Sequence, residues 1–170
     1  MSEAIGSHAM ILAAGFGVRM RPLTNDRPKP LIEVAGKALI DYGLDRLREA
    51  GVQKAVVNGH YRAEQILHWS QQQAAPEVSF SDEQAEILDT GGGIAKALPL
   101  LGHKPFFVIN SDSFWLDGKV PALSRLRAAW EACLKDPQPA LRRRAAELTP
   151  GLASLAWYPA LADFAANETD

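Results

Sequence analysis

Apolar positions along this chain fall into short unbroken runs separated by stretches of helical spacing. Residues 9 to 14 (AMILAA) form one such run, closed by Gly15. It predicts a strand buried on both faces, as in a parallel sheet. Leu39, Leu44, Leu47 and Ala50 recur at helical spacing, with Gly51 placed to end the helix. Lys54 to Asn58 predicts a second apolar strand, and Ala63 to Trp69 a helix with Ile66 and Leu67, and Trp69 as a further candidate, facing inward. Glu77 to Ser81 alternates Val78 and Phe80 with polar residues, a third strand. Thr90-Gly91-Gly92-Gly93 predicts a loop opening onto a short helix from Ile94 to Leu98. Pro105 to Asn110 is a fourth buried strand, with Ser111-Asp112 at its carboxyl end. Beyond Trp115, Leu123, Leu126, Trp130 and Cys133 mark one amphipathic helix. Pro137, Pro139, an Arg142-Arg143-Arg144 run and alanine-rich sequence follow, with no further strand and no internal repeat.

Strands alternating with helices predict an α/β fold with a mostly parallel sheet. Such sheets bind ligands in the crevice beyond the carboxyl ends of their strands. Gly15, Asn58-Gly59-His60 and Asn110 to Asp112 all fall at strand ends, so they can converge although far apart in sequence.

The 170 residues suit one domain, 1–170, with a real core. A net charge of -2 gives no global basic field, which argues against nucleic acid as a partner. The positive charge is local, at Arg19, Arg21, Arg27 and Lys29 and again at Arg142 to Arg144. Cys133 is the only cysteine, so no internal disulfide can form, and a reducing cytoplasm is the expected location. No apolar run is long enough to span a bilayer. The start lacks a basic region followed by a long apolar one, so neither a membrane nor a secretory leader is expected. Nothing in the chain sets an oligomeric state.

The segment from Met10 to Leu31 (MILAAGFGVRMRPLTNDRPKPL) carries most of the chemistry. A strand leads into a glycine turn, and four cations then interleave with Pro22, Pro28 and Pro30, each of which fixes φ. A glycine turn alone is usually just a turn, and each cation alone is a solvated surface charge. Together they suit a polyphosphate. Met20 occupies the third glycine position of a dinucleotide fingerprint, and no GxxxxGK[ST] is present, so neither the dinucleotide fold motif nor a P-loop applies.

LAAGFGVRMRPLT followed by PKPL resembles the opening motif of the sugar-phosphate nucleotidyltransferases, which join a nucleoside triphosphate to a sugar 1-phosphate and release pyrophosphate. The resemblance implies a Rossmann-like α/β/α sandwich. It implies that Leu12, Ala13, Ala14, Gly15 and Gly17 wrap the nucleotide with backbone groups. It assigns Arg19 to the triphosphate and Lys29 to the phosphates at the reacting centre, which makes these two the candidate catalytic residues. The LDTGGGI segment resembles that of the N-acetylmuramic acid α-1-phosphate uridylyltransferases of bacterial cell-wall (peptidoglycan) recycling more than that of the glucose or mannose enzymes. The resemblance places Gly91 and Gly92 against the base and sugar of the nucleotide. A carboxylate after a buried strand can cap a helix or hold Mg²⁺. The family places its magnesium-binding Asp at Asp112.

The expected partners are therefore a nucleoside triphosphate, UTP favoured, and a sugar 1-phosphate, with Mg²⁺ as cofactor. Asp117 ranks below Asp112 as a metal candidate and reads as a turn residue beside Gly118; His60 could line the pocket but reads as a hydrogen-bonded loop residue; Asn58 could orient the glycine loop; Glu83 could approach the base, with a solvated face as its default. The resemblance covers 10–127 and fades over a divergent, helical 128–170. Family members continue into a sugar-binding half with a second metal-binding Asp, which is missing or rebuilt as helices here. The alternatives are a catalytically impaired nucleotide-binding remnant, or a related guanylyl-, thymidylyl- or cytidylyltransferase.

Overall fold

The computed structural model describes residues 6–102, 104–134, 137 and 138. His103, the Arg142 to Arg144 run and the rest of the expected helical tail lie outside them. The apolar runs become four parallel strands: β1 (His8–Leu12), β4 (Lys54–Gly59), β5 (Glu77–Asp82) and β6 (Phe107–Asn110). A small antiparallel hairpin, β2 (Glu33–Val34) and β3 (Lys37–Ala38), stands apart from them. The sheet runs β5-β4-β1-β6. The chain therefore builds outward from β1 in one direction and then returns to its other side. The order reverses between β1 and β6, which is where a parallel sheet opens a crevice.

Helices cover both faces. Residues of β1 alternate: Ala9 and Ile11 pack under α1 (Leu39–Glu49), through Ile40, Leu44 and Leu47, and share one core with Ile66 and Trp69 of α2 (Ala63–Gln71) and Leu123 of α4 (Ala122–Leu134). Met10 and Val56 face the other way, against Ile94, Ala97 and Leu101 of α3 (Thr90–Leu101). Burial on both faces explains why β1, β4 and β6 read as continuous apolar runs. The result is the expected Rossmann-like α/β/α sandwich.

Four local readings are corrected. The Thr90 to Gly93 segment is not a loop; it is the first turn of α3. Glycine permits a turn without compelling one, and Ile94, Ala97 and Leu101 gain their burial by extending the helix back through it. The same helix runs past Leu98 to Leu101 with Pro99 inside it, and ends at Gly102, whose φ is 77°. Leu67 faces solvent, because Ile66 and Trp69 take the inward positions; the Trp69 Nε1–H donates to Asp41 at 2.8 Å. Leu126 is also exposed, and α4 is anchored instead by Leu123 and by Arg127, which donates to the carbonyls of Ala50 and Gly6.

Candidate functional site

The chain leaves β1 at Leu12 and enters the glycine loop. The Ala13 N–H donates to Asn58 Oδ1 at 2.7 Å, so the loop hangs from the end of the neighbouring strand β4. Gly17 has a φ of 63°, and a Cβ there would lie 3.0 Å from Thr24 Cγ2 and 3.1 Å from Lys29 Cβ. Only glycine lets the loop fold this closely over the segment that follows. Buried Thr24 completes the closure by donating from Oγ1 to the Gly17 carbonyl at 3.0 Å. Gly15, by contrast, has nothing within 4 Å of where a Cβ would sit, so its face is open.

On the opposite side, β6 ends at Asn110, and the Ser111 N–H donates to the Leu12 carbonyl at 3.1 Å. That bond holds Asp112 beside the glycine loop. Between them lies a cleft of about 350 Å³, lined by Leu12, Ala13, Gly15, Gly17, Arg19, Lys29 and Asp112 together with Phe16, Val18, Met20, Pro30, Asn110 and Ser111. It opens at the β1/β6 reversal, where the strand order puts it. Arg19 sits in a short 3-10 turn (Val18–Met20) and Lys29 begins a second one (Lys29–Leu31). The Lys29 ammonium pairs with the Asp112 carboxylate across the cleft, both side chains half-buried.

Not every candidate joins the cleft. Arg21 and Arg27 are exposed and line none of it; Arg27 lies 3.8 Å from Asp26. Ala14 is buried behind the loop. Gly91 and Gly92 sit in the first turn of α3 and do not line the cleft. Asp117 accepts the Ala122 N–H at 2.7 Å and the Trp115 indole N–H at 3.2 Å, and pairs with Arg46 at 3.3 Å. The Ala122 bond, with Arg46 and Trp115 adding to it, holds its carboxyl below the usual range. It is an anchor for α4. His60 donates from Nδ1 to the Glu83 carbonyl at 2.7 Å, a tautomer set by that acceptor, and its ring meets Phe16 edge-on at 5.1 Å.

Glu83 departs furthest from its expectation. It is fully buried, not solvated. One carboxylate oxygen accepts from Asn58 Nδ2 at 2.7 Å and the other from the Leu88 N–H at 3.2 Å. Nothing in the local sequence signals this, since one partner comes from β4 and the other is a backbone amide five residues on.

Among the described residues no group of three or more His, Cys, Asp or Glu could cage a metal. Asp112 is the one carboxylate among the residues lining the cleft. That suits Mg²⁺, which keeps several waters and takes one or two carboxylates plus substrate phosphates.

Residues 8–134 match the family described as nucleotidyl transferase. The chain belongs to that family. The N-acetylmuramate alpha-1-phosphate uridylyltransferase of Caulobacter vibrioides is 55% identical over 127 residues, covering 72% of this nucleotidyltransferase chain and 52% of the relative. The mannose-1-phosphate guanylyltransferase catalytic subunit beta of Drosophila melanogaster is 41% identical over 112 residues, covering 63% and 30%. A UDP-glucose pyrophosphorylase structure complexed with UDP-glucose superimposes with a TM-score of 0.65 at 22% identity, over 75% of this chain and 54% of that one, a likeness of fold. The nucleotidyltransferase chain spans about half the length of the uridylyltransferase it matches.

Proposed function

We propose that this chain forms the nucleotide-binding part of a sugar-1-phosphate nucleotidyltransferase, transferring UMP from UTP to N-acetylmuramic acid 1-phosphate with release of pyrophosphate. The observation that carries the reading is the pairing of Lys29 with Asp112 under the glycine loop, at the reversal point of the sheet. The 55% identity to a uridylyltransferase favours the base and sugar.

The reaction is an in-line displacement. An oxygen of the sugar 1-phosphate attacks the α-phosphorus, the α–β phosphoanhydride bond breaks, and pyrophosphate leaves with the electron pair. The attacking oxygen is already anionic, so no general base is needed. Positioning and neutralisation of charge then supply the rate enhancement. The backbone from Leu12 to Gly17 would wrap the nucleotide, Arg19 would hold the triphosphate, and Lys29 would face the phosphates around the reacting centre. Asp112 would hold Mg²⁺, which supplies further neutralisation of phosphate oxygens when bound. A cytoplasmic location goes with this reading, and the lone Cys133 suits a reducing compartment.

The 41% identity to a mannose-1-phosphate guanylyltransferase supports a second reading, in which the base is guanine. Calorimetric titration with UTP, GTP, dTTP and CTP in Mg²⁺ separates them. Tightest binding of UTP supports the first reading, tightest binding of GTP the second, and silence with all four overturns both. Pyrophosphate release with UTP and a panel of sugar 1-phosphates then distinguishes a transferase from a nucleotide-binding remnant.

A further inference from the structure

We infer that Asn58 and Glu83 form a buried positioning bridge that fixes the nucleotide-wrapping backbone of the glycine loop relative to the segment entering α3. The inference rests on the proposed nucleotide site and adds to it two residues that do not themselves line the cleft.

The bridge is a continuous chain of hydrogen bonds. The Ala13 N–H donates to Asn58 Oδ1 at 2.7 Å, Asn58 Nδ2 donates to Glu83 Oε1 at 2.7 Å, and the Leu88 N–H donates to Glu83 Oε2 at 3.2 Å. Asn58 is 3% exposed and Glu83 0%, so water does not compete for these bonds. Each link has one workable polarity. The amide of Asn58 must accept on the Ala13 side and donate on the Glu83 side. Position 83 must accept twice, once on each terminal atom, which a carboxylate does and an amide cannot.

The neighbouring helix leaves this space no slack. A Cβ on Gly93 would lie 2.8 Å from Asn58 Nδ2 and 2.8 Å from Glu83 Oε1. The last glycine of the TGGG run is therefore a clearance for the bridge. A fully buried carboxylate is costly unless it is fully hydrogen-bonded. Its two bonds, to Asn58 and to the Leu88 N–H that leads into α3, offset that cost.

The polarity argument supplies the test. Asn58→Asp sets two carboxylates against each other. Glu83→Gln leaves either Asn58 Nδ2 or the Leu88 N–H without an acceptor. The double substitution Asn58→Asp with Glu83→Gln restores every bond with the charge moved: the carboxylate at position 58 accepts from Ala13 and from the amide at 83, whose oxygen accepts from Leu88. Titration of each variant with UTP and Mg²⁺ should show both single variants weakened roughly tenfold or more and the double variant recovered most of the way to wild type. Trp69→Phe, which loses a hydrogen bond outside the cleft, should lower the melting temperature and leave UTP affinity unchanged. Single variants that bind like wild type, or a double variant no tighter than either single, would overturn the bridge. A wild-type chain that binds no nucleotide instead overturns the functional reading. Amide exchange at Ala13 and Leu88 then still reads the bridge: faster in each single variant and slowed again in the double if it exists, unchanged throughout if it does not.

Discussion

The Lys29 ammonium is ion-paired with the Asp112 carboxylate although 83 residues separate them along the chain. Lys29 arrives on a proline-flanked 3-10 turn, and Asp112 is delivered by the end of β6. Each neutralises the other across the cleft. On the proposed function a triphosphate would compete for Lys29 and a hard cation for Asp112, so the two ligands would undo the same contact and each would favour the other.

Lys29→Ala should abolish pyrophosphate release and weaken triphosphate binding while the fold survives. The pair is half-exposed, so its loss should change stability by no more than about 1 kcal/mol. The rate loss should be on the order of a hundredfold or more. Pyrophosphate assays and a melting curve on the same preparation check both. Near-normal release by the variant would sink the assignment of Lys29.

Removal of divalent metal with EDTA should weaken UTP binding by the wild-type chain. In Asp112→Asn the affinity should already be low and should respond little to EDTA. Calorimetry with and without chelator measures the difference. An Asp112→Asn variant that keeps its full magnesium response would move the metal elsewhere.

Two glycines of one loop should behave in opposite ways. Gly17→Ala places a side chain on left-handed backbone against Thr24 and Lys29, which should cost about 1–2 kcal/mol of stability. Gly15→Ala meets nothing within 4 Å and should melt like wild type. If the nucleotide lies over Gly15, that same methyl should weaken UTP binding. Melting curves and titrations on the pair separate a folding glycine from a binding glycine.

Asp117 gives the fold an acid-side dependence. Its carboxyl is held below the usual value by the Ala122 N–H, with Arg46 and Trp115 contributing. A group whose pKa is depressed on folding stabilises above its unfolded pKa, and that stability is lost as pH falls through the folded value. The melting temperature of the wild-type chain should therefore fall on acidification from about pH 5 towards pH 3. Asp117→Asn should show a shallower fall over that window, and identical slopes would remove Asp117 from the account.

Much of the architecture is legible in the sequence because burial on both faces leaves a strong mark. β1, β4 and β6 announce themselves as apolar runs, and α1 by its spacing and Gly51. The β2–β3 hairpin escapes because its two-residue strands carry no periodicity and its turn is Ala35-Gly36, with Ala35 at a φ of 52°. The TGGG segment misleads because its glycine content reads as a loop, whereas the apolar face of α3 decides its form. In the site, Arg19, Lys29 and Asp112 reach one cleft, while Arg21 and Arg27, of the same charge and the same stretch, do not. Arg19 and Lys29 each sit in a short 3-10 turn at the cleft, and Arg21 and Arg27 lie outside both turns. The burial of Glu83 is illegible for a stricter reason: its partners are Asn58, from another strand, and a backbone amide, and composition records neither.

The strand order also sets a timetable. β1 leaves the ribosome before the other strands yet ends in the interior of the sheet, flanked by β4 and β6. One whole edge of this buried strand stays unpaired until Phe107 to Asn110 have been made. During that interval the nascent chain carries an open strand edge, the kind of surface that templates aggregation. The same late arrival brings Asp112 to Lys29. A growing chain that has just protected its central strand has, by that step, also closed its cleft.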